Sequence, residues 1–171
     1  MSKFLIIGGA HCVFEDIEAS QELFLPDEII VINDIGMYIE EVDHWVTMHP
    51  EKMPIWLKQR EDHGFVKPKM WTTPEKVEKG IVDGFSLVNS KGGGGILGVN
   101  LAKFLGASKI VLAGIPMTQN AHFNKGSGWI EATLYRQFWR GEKSYPKWVK
   151  SMSGWTKEFY GLPTKEWLEE T

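Results

Sequence analysis

The residues of this 171-residue chain that best fit a chemical role form a short run in its middle, where a serine and a lysine precede four glycines. Glycines have no Cβ, so several backbone N–H groups can converge on one ligand. The start of a following helix adds a partial positive charge, and the two together suit a phosphate group. The run predicted to hold this anion consists of Ser90, Lys91, Gly92, Gly93, Gly94 and Gly95.

Two interpretations of this glycine run compete. Lys91 precedes the glycines and no Gly-Lys-Ser/Thr sequence follows them, so the run is not a Walker A motif. The structural alternative is a close crossing of a helix over a sheet, where only small residues fit. We favour anion binding, because four consecutive glycines carry a larger cost in conformational entropy than close packing alone would explain.

Two further groups of residues follow short apolar segments near the N-terminus. The first is similar to a dinucleotide-binding turn without the full G-x-G-x-x-G pattern, and a tight turn with no ligand explains it nearly as well. It consists of Gly8, Gly9, Ala10 and His11. The second group, Asn33 and Asp34, lies where a ribose or base is often held. Helix capping is the alternative interpretation of these two polar side chains.

Two histidines are candidates for proton transfer. His49 precedes a proline at a predicted strand end, and His122 follows the last predicted strand, although a surface or structural role is open for each. Pro116 directly follows that last strand and is expected to contact the ligand. Asp34 is the acidic neighbour that could join both histidines on a metal, but no zinc-like spacing is present, so no metal ligand is predicted. Cys12 has no activating partner and is interpreted as a small buried residue.

Alternating strand-like and helix-like segments would position these residues. Short apolar runs predict strands over residues 3–7, 28–32, 44–48, 69–72, 85–88 and 109–113. Helical spacing predicts helices over residues 14–24, 50–60, 96–105, 129–139 and 164–169. This alternation is typical of an α/β fold, a single-domain Rossmann-like parallel sheet flanked by helices. Ligands of such sheets bind beyond the carboxyl ends of the strands, where the residues above are placed.

The last third of the chain has a different character. We expect one domain over residues 1–171, with a sheet core over 1–117 and a loop and aromatic-rich helical extension over 118–171. Five of the eight tryptophans fall in this extension, where we expect them to build a small core of their own. An aromatic ligand platform is one alternative. A homo-oligomer interface is another, and it requires Trp139, Trp148 and Trp155 to be exposed on one face.

Composition narrows the function classes. Hydrophobic residues make up 43% and charged residues 24% of the chain, and the net charge of -3 argues against general nucleic-acid binding. A single cysteine cannot form an intrachain disulfide, which fits a reducing compartment. No apolar stretch approaches the roughly 20 residues that span a membrane, and the opening apolar run is too short for a signal peptide. We therefore expect a cytoplasmic protein whose partner is a nucleotide-type small molecule, with no membrane association.

Several of these motifs together resemble a broad Rossmann-like group. The segment 94–117 has the glycine turn, the apolar helix and the sequence Leu-Gly-Ala-Ser-Lys-Ile-Val-Leu-Ala-Gly. Ile-Ile-Gly-Gly-Ala-His, Val-Ile-Asn-Asp and Thr-Met-His-Pro resemble the earlier strand ends of the same group. It includes bacterial CMP-sialic acid-dependent sialyltransferases, 6-hydroxymethylpterin pyrophosphokinase-like proteins, and phage and prophage proteins. The resemblance covers residues 3–117, and the segment 150–168 is most similar to the phage and prophage members.

The resemblance implies a nucleotide or nucleotide-sugar binding protein that transfers a glycosyl or phosphoryl group, with Mg²⁺ accompanying the nucleotide as an open question. Pro116 stands where the sialyltransferases have an acidic residue, and their paired tyrosines have no secure match. These departures favour an alternative, a non-catalytic module that binds a small molecule. A phage assembly or structural protein with a vestigial pocket is a third hypothesis.

Overall fold

The computed structural model describes residues 1–77, 84–142 and 144–170. Its described strands are β1 (Lys3–Ile7), β2 (Glu28–Ile32), β3 (His44–Val46), β4 (Lys69–Thr72), β5 (Ser86–Leu87), β6 (Lys109–Ala113), β7 (Ala121–His122), β8 (Lys125–Gly128) and β9 (Val149–Ser151). Seven of them form a parallel sheet in the order β5-β4-β3-β2-β1-β6-β9, which is the main feature of the fold. A separate antiparallel hairpin joins β7 to β8.

Strand composition explains why the sheet is parallel and central. The sequences of β1, β2 and β6 are KFLII, EIIVI and KIVLA, nearly continuous apolar runs. All five residues of β6 are buried, as are four of the five in β1. Strands buried on both faces need apolar residues at every position, which is the pattern of sheets covered by helices on both sides.

Helices cover both faces of this sheet. They are α1 (Val13–Gln21), α2 (Met53–Asp62), α3 (Pro74–Val77), α4 (Gly94–Phe104), α5 (Ala132–Gly141), α6 (Gly154–Tyr160) and α7 (Lys165–Glu169). Apolar residues of α4 and α5 pack in one buried cluster with alternate residues of β1, β2 and β6. Apolar residues of α1, α2 and α7 pack with the other set of strand residues. The predicted α/β sheet with flanking helices is confirmed.

Helix α4 begins earlier than predicted. We expected it to start after the glycine run, at residue 96, whereas it starts at Gly94 with Gly93 as its N-cap. Gly106 follows the helix with a φ of +92°, a left-handed conformation in which glycine commonly ends helices. The last three glycines of the run thus form the N-cap of the helix and part of its first turn, and do not belong to a long free loop.

The C-terminal third differs from the prediction in two ways. It contains β9, which pairs in parallel with β6 and extends the sheet, whereas we expected only loops and helices. Its aromatic side chains do not form a separate core, because Trp139, Tyr145 and Tyr160 join the cluster that contains the sheet residues. Trp139 is only 2% exposed, so the exposed face that the oligomer hypothesis required of this residue is not found.

No helix within the described part of the chain is long and apolar enough to cross a membrane.

Candidate functional site

A cavity of about 720 Å³ opens at the carboxyl edge of the parallel sheet. Strand order reverses there, because the chain moves outward from β1 to β5 on one side and continues with β6 and β9 on the other. This is the position at which open α/β sheets bind ligands, and the volume suits a nucleotide-sized molecule. Predicted site residues that line this carboxyl-edge cavity are Gly8, Gly9, Ala10, Asn33, Asp34, His49, Gly92, Gly93, Gly94, Gly95, Pro116 and His122.

Most glycines of the second glycine turn, Gly92 to Gly95, are explained by packing or backbone conformation. A Cβ on Gly94 would lie 2.6 Å from Ile32 Cγ2, and one on Gly95 would lie 2.7 Å from Trp139 Cζ2. Gly92 has a φ of +107°, which favours glycine. The entropy argument for anion binding is therefore weaker than the sequence suggested, because the structural alternative accounts for three of the four glycines.

Gly93 is the exception, and it faces the cavity. A Cβ built on it would meet Tyr135 Cδ1 at 3.4 Å and Trp129 Cη2 at 3.5 Å, which are ordinary contacts. Its φ of −79° and ψ of 178° are open to any residue, and it caps α4 without any side chain to accept the helix N–H groups. The first hydrogen bond of the helix runs from Leu97 N to Gly93 O. Hence the N–H groups of residues 94–96 have no acceptor among the described residues.

These N–H groups make one end of the cavity electropositive. A helix of eleven residues carries a partial positive charge at its N-terminus, and the first turn of α4 contains no acidic side chain to offset it. Because Gly94 and Gly95 line the cavity, an anion in the cavity can accept hydrogen bonds from this end of the helix. The geometry supports an anion subsite here even though packing explains most of the glycines.

Asn33 is held rigidly beside this subsite. Its φ of +56° is a left-handed conformation that asparagine adopts more readily than most residues. Trp45 Nε1 donates to its carbonyl oxygen at 2.6 Å, and Thr47 Oγ1 donates to its Oδ1 at 2.9 Å. The Thr47 hydroxyl is itself fixed, because it accepts from His49 N at 2.8 Å. Asn33 Nδ2 therefore stays available to donate to a ligand near Gly94.

The first glycine turn, Gly8 to His11, serves mainly to bring backbone segments together. A Cβ on Gly8 would lie 2.7 Å from the carbonyl oxygen of Gly114. Ala10 N donates to that same oxygen at 3.1 Å, and Gly8 N donates to Ala113 O at 2.8 Å. His11 is exposed and does not line the cavity. The tight-turn interpretation of this segment is thus well supported, although Gly9 still faces the cavity.

The hairpin of β7 and β8 forms one wall of the cavity and carries His122. It is fastened to the first glycine turn by His11 N donating to Ala121 O at 3.1 Å and by Phe123 N donating to Gly9 O at 3.0 Å. His122 Nε2 lies 3.5 Å from Asp34 Oδ1. The structure therefore brings together two predicted site residues that are far apart in the chain, one from the end of β2 and one from the hairpin.

His49 and Pro116 occupy other parts of the cavity lining. His49 Nδ1 lies 3.5 Å from Glu51 Oε1, and about half of each side chain is exposed. Pro116 is buried, and its carbonyl oxygen accepts from Trp155 N at 2.9 Å. It contributes a rigid apolar surface and no charge. Of the two candidate histidines, His122 has the closer set of polar partners.

Ser90 and Lys91 do not line the cavity. Ser90 Oγ instead accepts from Asn100 Nδ2 at 3.2 Å, and Lys91 is exposed. Lys91, from which a full positive charge was expected at the site, is thus not part of the cavity wall. Among the described residues, the lysine that lines the cavity is Lys76 of α3, which no sequence motif indicated.

Sequence reasoning also missed several polar and aromatic lining residues. Thr118 has a buried Oγ1 with no hydrogen-bond partner among the described residues, which makes it a candidate ligand contact. The ring centroids of Trp129 and Tyr135 lie 4.8 Å apart, and the two side chains form an aromatic wall of the cavity beside the start of α4. Asn124 bonds to both Asp34 and His122. These lining residues lie in loops or on α5, and not at the strand ends on which the prediction was based. Their polar or aromatic character was the only signal in the sequence that could have suggested a role in the site.

The buried carboxylate of Asp16 links the strand end at Gly114, which contacts the first glycine turn, to Ser153 and Cys12. Asp16 Oδ2 accepts from Gly114 N at 2.8 Å and from Ser153 Oγ at 2.6 Å. Cys12 Sγ lies 3.4 Å from the same oxygen. Burial raises the pKa of the Cys12 thiol from its ordinary 9.0 to about 11, although a hydrogen bond with Ser153 acts in the opposite direction. The expectation that Cys12 is a small buried residue is confirmed.

The described residues contain no group of three or more histidine, cysteine, aspartate or glutamate side chains placed to hold a metal ion.

Comparisons with known proteins support the fold. No protein-family model and no curated protein matches the chain. A solved structure with a similar fold is the sialyltransferase CstII from Campylobacter jejuni, in complex with the substrate analogue CMP-3FNeuAc. The superposition has a TM-score of 0.62 at 12% sequence identity and covers 100% of this chain and 88% of CstII. At this identity the likeness establishes a shared fold.

Proposed function

We propose that this protein binds a nucleotide-sugar in the carboxyl-edge cavity and transfers its glycosyl group. The observation that carries the proposal is the anion subsite at the start of α4, where N–H groups of residues 94–96 have no protein acceptor among the described residues and border a cavity of about 720 Å³. The fold likeness to a sialyltransferase whose structure was solved in complex with the substrate analogue CMP-3FNeuAc adds support. Because the sequence also resembles phage and prophage proteins, we further propose that the transferase is of phage or prophage type.

The cavity provides a place for each part of such a ligand. The phosphate would accept from the first turn of α4, with Asn33 Nδ2 as a further donor beside it. Trp129 and Tyr135 would pack against an apolar face of the base or the sugar. The buried hydroxyl of Thr118 would pair with a polar group of the ligand.

The proposed reaction forms one bond and breaks another. A hydroxyl oxygen of the acceptor bonds to the anomeric carbon of the sugar, while the bond from that carbon to the phosphate oxygen breaks. The electron pair stays on the phosphate, where the N–H groups of α4 stabilise the developing charge. The hydroxyl proton passes to a histidine, His122 or His49, both of which line the cavity.

Two other functions stay open to the same test. Phosphoryl or pyrophosphoryl transfer from a nucleotide with Mg²⁺ would use the same anion subsite. A non-catalytic binding module is favoured by Pro116, which places an apolar ring in the cavity where the resembling sialyltransferases have an acid. Turnover of the bound nucleotide would separate either transferase from a non-catalytic binding module. A requirement for Mg²⁺ in binding would favour phosphoryl transfer over glycosyl transfer.

The first experiment is a thermal-unfolding screen with CMP, UMP, CMP-sugars, UDP-sugars, ATP and NAD, each with Mg²⁺ and with EDTA. A ligand present at 100 times its Kd adds about 2.7 kcal/mol to the free energy of unfolding, which raises Tm by several degrees in a chain of this size. A shift with CMP- or UDP-sugars, followed by sugar release in a turnover assay, is the expected result. No shift with any nucleotide would contradict the proposal.

A matched pair of variants locates the phosphate. Gly93→Asp places a carboxylate at the N-cap of α4, and Gly93→Asn places an uncharged side chain of nearly the same shape there. Both caps should keep the free energy of unfolding within about 1 kcal/mol of the native protein. We expect the nucleotide to bind at least tenfold more weakly to the Asp variant than to the Asn variant. Equal affinities would show that the phosphate binds elsewhere.

A further inference from the structure

Three polar side chains form a closed set on the hairpin side of the cavity. Asn124 Nδ2 donates to Asp34 Oδ2 at 2.9 Å, and Asn124 Oδ1 lies 2.9 Å from His122 Nδ1. The third side of the triangle is the 3.5 Å separation of His122 Nε2 and Asp34 Oδ1. Each side chain therefore contacts the other two, and each lines the cavity.

The asparagine determines which ring nitrogen of His122 carries the proton. A carboxylate only accepts hydrogen bonds, so Asn124 must turn its NH₂ group toward Asp34. Its Oδ1 then faces His122 Nδ1, and an amide oxygen also only accepts. His122 Nδ1 must therefore be the donor. The reversed amide would place its oxygen against the carboxylate, which has no proton to donate, and would lose the hydrogen bond to Asp34.

The other ring nitrogen lies beside Gly9, which also lines the cavity. His122 Nε2 sits over Gly9, and a Cβ on that glycine would be only 2.6 Å from it. Gly9 thus leaves room for the imidazole beside the first glycine turn. With the proton on Nδ1, the Nε2 atom carries the lone pair, and Asp34 Oδ1 lies close enough to offset the positive charge once Nε2 takes up a proton.

Main-chain bonds hold the hairpin independently of this triangle. His11 N donates to Ala121 O and Phe123 N donates to Gly9 O, so the backbone on both sides of His122 is attached to the first glycine turn. Side-chain bonds from Asn124 and Asp34 are thus not needed to place the hairpin. Their effect falls on the orientation and tautomer of the His122 ring.

We propose that Asp34 and Asn124 are positioning residues that hold His122 with its proton on Nδ1, so that Nε2 accepts the proton of the acceptor hydroxyl. This role for Nε2 rests on the proposed glycosyl transfer. The hydroxyl oxygen keeps the O–H electron pair and forms the new bond to the anomeric carbon, the bond to the phosphate breaks, and Nε2 later returns the proton to water. The tautomer itself is a property of the protein without ligand.

The test is a long-range ¹H–¹⁵N NMR spectrum of the uniformly labelled protein above neutral pH, which identifies the protonated nitrogen of each neutral histidine. Signals of His122 are assigned from their loss in His122→Gln. We expect Nδ1–H as the major tautomer in the native protein and as the minor one in Asn124→Ala. Asn120→Ala is the matched control, since Asn120 lines the same cavity and, among the described residues, forms no hydrogen bond with His122.

Two results would overturn the proposal. One is a native protein whose His122 carries its proton on Nε2, and the other is a tautomer that does not change in Asn124→Ala while thermal unfolding shows an intact fold. Neither result depends on nucleotide binding. A failed ligand screen with the expected tautomer would instead refute the proposed function and leave the positioning geometry standing.

Discussion

The two glycine turns at the carboxyl edge resemble each other in sequence and differ in what their backbone does. In the first turn, the N–H groups of Gly8, Ala10 and His11 all donate to carbonyl oxygens of the protein. In the second turn, the helix that follows leaves the N–H groups of residues 94–96 without acceptors among the described residues. Gly9 N of the first turn also has no acceptor among the described residues, so the first turn offers a single donor and the second turn a set of adjacent donors.

Glycine itself does not distinguish these roles. Gly8 and Gly94 are both required by close packing, against Gly114 O in one case and Ile32 Cγ2 in the other. What marks the anion subsite is an uncapped helix end, where Gly93 supplies no side chain to accept from the helix. Glycine content alone thus indicates a close approach, while unpaired N–H groups at a cavity indicate a ligand.

The largest expected effect separates the first turn from an ordinary glycine cap. Gly114 has a φ of +64°, and a Cβ on it would lie 2.3 Å from Gly8 O. Gly106 has a φ of +92° with nothing within 4 Å of a Cβ. Gly114→Ala should reduce the free energy of unfolding by about 3 kcal/mol or more, because it adds a backbone collision to the conformational strain. Gly106→Ala should cost about 1–2 kcal/mol through strain alone.

Urea unfolding monitored by circular dichroism measures both variants. Gly141→Ala is a further control, since Gly141 has neither a positive φ nor any atom within 4 Å of a Cβ. If Gly114→Ala lost no more stability than Gly106→Ala, the backbone at Gly114 would not be in close contact with the first turn at Gly8.

A smaller effect concerns the buried groups behind each turn. The pKa of the Cys12 thiol is raised to about 11, so between pH 9 and 11 the unfolded chain loses this proton while the folded protein keeps it. Stability therefore falls as the pH rises through this window, by about 2 kcal/mol for this thiol. Burial also raises the pKa of Tyr145, whose Oη donates to Asn100 Oδ1 in α4, so its contribution is lost at higher pH.

Substitution of each residue would show how much Cys12 and Tyr145 contribute to the loss of stability at alkaline pH. Cys12→Ala should flatten the decline of stability between pH 9 and 11, and Tyr145→Phe should flatten only the part above pH 10, in urea unfolding at a series of pH values. An identical alkaline decline in the native protein and in Cys12→Ala would contradict the burial of the thiol behind the first turn.

Much of the fold followed from the sequence, since its main strands are short, apolar and separated by helical segments. Strands β1, β2, β4 and β6 have the predicted bounds, because runs such as KIVLA fit only the buried centre of a parallel sheet. Strand β9 was not predicted. It has three residues with a lysine in the middle, lies at the edge, and owes its strand form to pairing with β6.

The site followed from the sequence wherever a strand end determined it. The rule that ligands lie beyond the carboxyl ends of strands placed Gly9, Asn33, His49 and Gly93 at one cavity. It could not place Asn124 or Thr118, which depend on the path of a loop that no periodicity specifies. Nor could it show that Lys91, next to the glycines in sequence, does not line the cavity.

The proposed function depends above all on an anion bound to the first turn of α4. The most direct test is a ¹H–¹⁵N correlation spectrum of the native protein titrated with CMP and, separately, with inorganic phosphate. The amide protons of Gly94 and Gly95 should move to lower field in both titrations, by more than any amide of the first glycine turn, while the amide of Gly141 stays in place. Saturating shifts confined to the first turn, or no shift at Gly94 and Gly95 while CMP binds, would contradict the claim.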